Sequence, residues 1–216
     1  MADGNRPVAA VAFDAIGDAY ERAFAGSAAH RASLARLLGR LAPHSRILDV
    51  GSGTGRPTAG TLAAAGHEVL GVDVSPVMVG LASRRVPGAS FRQADIRDTP
   101  LDEEAYDAVC VYFSLLQMSR EEQRSLVARL AGALRPGGRL VLATVPLDVE
   151  GVDAVFMGQE VRVTSFGPEA LRELVTGAGL TVEDEDDTVF TPDHPGAVPE
   201  PHLFLHCRRE AVPPGH

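Results

Sequence analysis

The 216-residue chain contains no lysine and no tryptophan. Without lysine, a Schiff-base enzyme has no amine to use, and a phosphate loop ending in Lys-Ser/Thr cannot be built. Positive charge is in deficit altogether: 20 arginines face 29 acids, for a net charge of −9. That balance argues against a nucleic-acid or anionic-membrane surface, where counterion release rewards basic stripes. Cysteine is scarce. Cys110 and Cys207 both sit in apolar runs with no histidine at ligand spacing, so they read as buried strand thiols and no metal site is expected. No apolar run approaches the length of a membrane span. The opening "MADGNRPVAAVAFDAIGD" carries acids where a signal peptide needs an apolar core, so a cytoplasmic location is expected.

What is present is 45% hydrophobic residues, enough for one sizeable core. Short apolar runs alternate with helical patterns, the mark of a parallel sheet with crossover helices. Strands are predicted at 46–50, 67–73, 89–95, 106–113 and 139–145, with helices at 57–65 and 75–85 between them. A further helix opens at Ser119 and Glu122, which have the capping-box spacing, and "RPGG" stops it at 135–138. Residues 146–166 are too long for an ordinary connection and read as an insertion, a hairpin near the sheet's carboxyl edge. A helix over 168–178 precedes two strand-like runs, "LTVEDEDDTVF" and "PHLFLHCRR", expected to form an antiparallel pair at one edge of the sheet. Residues 8–41 read as two amphipathic helices outside the alternation. The predicted fold is α/β: Rossmann-like, doubly wound, seven-stranded and mostly parallel, with an antiparallel edge strand and an N-terminal helical lid.

The sharpest feature is "LDVGSGTGRPT" at 48–58, a glycine turn between a strand and a helix. Such a turn aims backbone N–H groups and a positive helix end at the sheet's carboxyl edge, where ligands of open α/β sheets bind. A dinucleotide fingerprint needs glycine at its first, third and sixth positions; here these are Gly51, Gly53 and Arg56. The remaining pattern, Asp49-x-Gly51-x-Gly53-x-Gly55, resembles motif I of the class I S-adenosylmethionine-dependent methyltransferases. Asp73, ending the second strand, is placed to accept a ribose diol, a feature shared with NAD enzymes. "QADIRD" and "LRPGGRLVLATV" add to the resemblance, which runs from about residue 45 to 180. "AFDAIGDAYERAF" resembles the lid helix of small-molecule members.

This resemblance implies S-adenosylmethionine as cofactor and a small-molecule substrate, with no base named for catalysis. It also implies that Tyr20, Asp49, Gly51, Gly53, Gly55, Asp73, Val74, Asp95, Ile96, Tyr112 and Phe113 hold the cofactor. Asp95 would take the adenine amino group and Ile96 would offer a backbone N–H. Residues 45–145 would form the cofactor-binding core, 8–41 a lid, 146–166 a substrate cap and 167–210 the C-terminal helix and edge strands, within one domain. The segment after the fourth strand, "VYFSLLQM", lacks the Asp/Asn-Pro-Pro-aromatic tetrapeptide of nucleic-acid amino-methyltransferases and the Pro-Cys pair of the cytosine type. Ser114, Gln117, Phe156 and Met157 are therefore candidate substrate contacts, with Val155, Val161 and Phe166 lining the same apolar pocket.

Plainer roles stand beside these. Asp49 would cap the turn, Tyr20 would be a core aromatic, and Ser114 and Gln117 would cap or pack. Arg56 snorkels to solvent, and His67 is structural. His202 and His206 read as surface on an edge strand, and "EDEDD" at 183–187 as a solvated, edge-protecting run. The expected protein is a monomer or homodimer, and its Arg-, Ala- and Gly-rich composition suits a GC-rich bacterial genome and secondary metabolism. A protein of this fold that binds the cofactor without transferring methyl is the first alternative, and a nicotinamide oxidoreductase the second.

Overall fold

The computed structural model describes residues 8–210. Seven strands form one sheet in the order β3-β2-β1-β4-β5-β9-β8. They are β1 (Arg46–Val50), β2 (Glu68–Asp73), β3 (Ser90–Gln93), β4 (Tyr106–Tyr112), β5 (Leu134–Thr144), β8 (Leu180–Phe190) and β9 (Glu200–Arg209). β1 to β5 pair in parallel, and β9 enters antiparallel between β5 and the edge strand β8. The doubly wound sheet and its antiparallel edge pair match the prediction.

Side chains alternate between two cores, as strand geometry requires. Leu48, Val50, Val109, Val111, Leu140 and Leu142 face α6 (Arg120–Ala133) and α7 (Pro168–Gly177). Ile47, Val69, Cys110 and Val141 face α3 (Ala28–Leu38) and α4 (Thr58–Ala64), meeting Leu34, Leu37 and Leu62. Both cysteines are free and buried. The Ser119–Glu122 capping box is complete in both directions.

Four readings change. The N-terminal segment forms three helices, α1 (Val8–Ile16), α2 (Asp18–Phe24) and α3, because Gly17 takes a left-handed φ of 48° and breaks the first run. "RPGG" becomes an irregular start to β5, where the pairing with β4 slips between Tyr106 and Ala108. His202 and His206 are not on the surface: they are 1% and 3% exposed, because β9 lies inside the sheet and α3 covers their face. The acids of β8 do lie on the edge strand but are paired rather than merely solvated. Glu183 and Asp184 meet Arg40, just past α3, Asp186 meets Arg36 of α3, and Glu185 meets Arg172 of α7.

Residues 149–165 form the expected hairpin, β6 (Val149–Phe156) and β7 (Gln159–Ser165), closed at Met157–Gly158 with both φ positive. Thr164 N–H donates to Leu116 C=O (2.7 Å) and Gln123 to Thr164 C=O (3.1 Å), which ties the hairpin to the segment after β4. α1 packs on β7 and on α5 (Pro76–Arg85). Among the described residues no helix is long and apolar enough to cross a membrane.

Candidate functional site

The glycine turn is braced by the strand beside it. Gly51 and Ser52 N–H donate to Val72 C=O at 2.8 and 3.1 Å. Gly51 has φ 68°, and a side chain there would drive into Ser114, so only glycine fits both the backbone and the space. Gly55, at φ 79°, lets α4 settle on Phe91, 3.0 Å from where a Cβ would stand. Asp73 closes the turn: its Oδ2 accepts from Gly53 N–H (2.8 Å) and its Oδ1 from Ser75 N–H (2.9 Å). Burial pushes the Asp73 carboxyl up, and these two donors oppose it.

Two cavities open above this turn. The larger, about 810 Å³, runs from Tyr20, Phe24 and His30 over Asp49, Gly51 and Gly53 toward α4 and the end of α5. The smaller, about 230 Å³, holds Asp73, Val74, Met78, Ser114, Gln117 and Glu200 beneath Phe13 and Phe156. Tyr20, Phe24, Tyr112 and Phe113 wall both. Asp49 is 2% exposed, and burial, then the charge of Asp73, pushes its carboxyl up to about 7. Its Oδ2 has no hydrogen-bond partner among the described residues, and neither have Ser52 Oγ, Thr54 Oγ1 and Ser114 Oγ. Native proteins satisfy nearly all buried polar groups, so four orphans around one turn mark a place where something polar belongs. Burial and the charge of Glu200 push the Tyr20 phenol well up, so its hydroxyl stays protonated.

Most of the proposed cofactor set therefore converges: Tyr20, Asp49, Gly51, Gly53, Asp73, Val74, Tyr112 and Phe113 share the crevice. Gly55 serves packing instead. Asp95 and Ile96 line neither cavity. Arg97 grips both Asp95 oxygens and reaches Glu122 at 2.6 Å, and Ile96 is 4% exposed in the core. On the substrate side, Ser114, Gln117, Val155, Phe156 and Val161 line the smaller cavity, while Met157 turns the hairpin outside it. Phe166 is a correction: it is 2% exposed and packs under Arg120 and Arg124 on the opposite core.

Sequence reasoning missed Phe13, Phe24, His30, Glu200 and His202. The aromatic faces of α1 and α2 were a usable signal for the first two. Phe13, Tyr20, Phe24 and Phe156 stand 4.8–6.4 Å apart, centroid to centroid, in an aromatic cluster. His30 stacks on Tyr112 at 4.0 Å, and burial lowers its imidazole to about 3.

Comparison with known proteins fits this geometry. Residues 47–138 match the methyltransferase domain family. A demethylmenaquinone methyltransferase of Clavibacter sepedonicus is 34% identical over 154 residues, covering 65% of this chain and 61% of its own. Over this domain match the chain is similar to the class I S-adenosylmethionine-dependent methyltransferases. An O-methyltransferase of Penicillium expansum, cnsE, is 32% identical over 68% of this chain and 57% of its own. This chain thus spans about three-fifths of the length of the curated relatives it matches. In fold, it resembles 1,6-didemethyltoxoflavin-N1-methyltransferase of Burkholderia thailandensis: TM-score 0.71 at 24% identity, over 97% of this chain and 93% of the other.

Proposed function

We propose that this methyltransferase moves a methyl group from S-adenosylmethionine to a small, partly hydrophobic metabolite. One observation carries the reading: unpartnered buried polar atoms ring the glycine turn, beside a carboxylate at the end of β2, and open onto an aromatic-walled cavity. Bound there, the cofactor supplies an electrophilic methyl on a sulfonium.

The residues divide the work. Asp49 is held near its titration point at neutral pH, so a neighbouring ammonium draws it into the ionised form and ends its isolation. Asp73 keeps acceptor capacity for a ribose diol beyond the two N–H groups it already binds. Val74 and Met78 offer an apolar seat for a purine. Asp95 joins this set if Arg97, which spans both its oxygens, yields one of them. Phe13, Tyr20, Phe24 and Phe156 exclude water above the reacting centre and confine the acceptor. Such positioning supplies at most roughly 7–11 kcal/mol of the barrier.

Thermal shift is the direct test. At about 100 times the dissociation constant, S-adenosylmethionine or its demethylated product should add about 2.7 kcal/mol, or roughly 5–10 °C in a chain of this size. NAD should add nothing. Absence of a shift with either adenosyl ligand would overturn the proposal. Incubation with methyl-labelled cofactor and a bacterial metabolite extract then separates transfer from mere binding.

A further inference from the structure

Glu200 is the one acid in the smaller cavity, among the described residues, that the glycine turn does not use. It opens β9 opposite Phe190, and its side chain is 24% exposed, facing a space walled by Phe13, Tyr20, Phe24 and Phe156. One oxygen is held by His202: Nε2 lies 2.8 Å from Glu200 Oε1. The other accepts no hydrogen bond among the described residues. His202 itself is locked. Its ring lies 4.5 Å from Phe113 and 5.5 Å from Phe190, and its Nδ1 is buried without a partner. A carboxylate can only accept, so Nε2 carries a hydrogen and donates it to Glu200. The result is an oriented carboxylate with one oxygen aimed into an aromatic cage. Its charge is felt by Tyr20, whose phenol it helps to keep protonated.

Resting on the methyl-transfer reading, we propose that Glu200, positioned by His202, receives the proton of a planar aromatic acceptor bearing a hydroxyl group. The aromatic cluster selects a flat apolar body. A hydroxyl is favoured over an amine because a neutral amine attacks with its own lone pair and has no need of a base, whereas an un-ionised phenol attacks weakly until its proton leaves. The step balances. The O–H proton passes to Glu200, the oxygen lone pair forms the new C–O bond, and the C–S bond breaks with its electron pair staying on sulfur. The carboxylate and the sulfonium charge disappear together, leaving a neutral acid and a neutral thioether.

The test is equilibrium binding to protein saturated with the demethylated cofactor, with 2-naphthol and 2-methoxynaphthalene as probes. The second carries a methyl group in place of the donor hydrogen of the first. In the wild type, 2-naphthol should bind at least about tenfold tighter, the scale of a charge-assisted hydrogen bond. Glu200→Gln, nearly isosteric, should cut that preference at least about fivefold while leaving cofactor affinity unchanged. His202→Leu should do the same, and His202→Asn, which can still donate, should restore part of it. Equal binding of the two probes, an undiminished preference in Glu200→Gln, or no binding of either aromatic would overturn the assignment. Failure of the demethylated cofactor to bind would instead overturn the methyl-transfer reading beneath it.

Discussion

The crevice has two halves made from different material. Its floor comes from one stretch of chain, residues 49–78, in which two strand ends and a glycine turn brace one another through backbone hydrogen bonds. Its roof and acceptor wall come from α1, α2, the β6–β7 hairpin and the start of β9, whose side chains meet across the cavity. The floor is rigid because every member is covalently near its partner and buried in the sheet. The roof is held by aromatic contacts and exposed ion pairs, and Val155 at its rim is 73% exposed. Parts that must admit a substrate are drawn from such weakly held elements. Changes in the floor should therefore alter stability and cofactor binding, and changes in the roof should touch the acceptor or the exchange rate alone.

Gly51→Ala is the harshest test of the floor. It combines a left-handed φ with a collision against Ser114, and should cost about 2–4 kcal/mol in denaturant unfolding and abolish cofactor binding. Full stability in this variant would break the comparison.

Asp49→Asn separates stability from function. The Asp49 carboxyl is raised in the folded protein, so ionising it disfavours the folded state. That cost is absent below about pH 4, where both states are protonated, and grows until about pH 7. Relative to wild type, Asp49→Asn should gain stability across that window, by up to about 4 kcal/mol, while cofactor affinity falls. A stability difference that does not vary with pH would show that the carboxyl is not perturbed.

Phe156→Ala probes the roof. It removes one ring from the cluster, at about 1 kcal/mol per aromatic pair, so naphthol affinity should fall about tenfold while affinity for the demethylated cofactor changes less than about threefold. Equal losses of both would merge the two halves into one.

The mildest change is Arg85→Ala, which frees α2 from the end of α5 by removing the pairs to Asp18 and Glu21. Exposed pairs of this kind are weak and salt-screened. Cofactor release measured by stopped flow should quicken by only about two- to fivefold, and less at high salt.

The floor was readable in the linear chain because its determinants are local. Gly51 and Gly53 announce a backbone conformation, Asp73 ends a strand of recognisable pattern, and Ser119 and Glu122 announce a cap at fixed spacing. His202 and His206 were misplaced because their burial depends on β9 slipping inside β8, an ordering of strands that no short pattern encodes. The acids of β8 looked solvated because Arg40 and Arg36, which meet Asp184 and Asp186, lie 144 and 150 residues away in the chain. Asp95 stood at the expected strand end, yet only the folded chain shows Arg97 closed upon it.

By itself, then, the order of residues determined the strands and helices, the glycine turn and the acids beside it, since periodicity, φ preference and capping act over a few positions. Tertiary structure alone decided which aromatics meet above the turn and that Glu200 and His202 stand as a pair beside them. The approach of Phe156 and of Glu200 to α1 and α2 joins segments more than a hundred residues apart, and it exists only once burial of the two cores has brought the segments together.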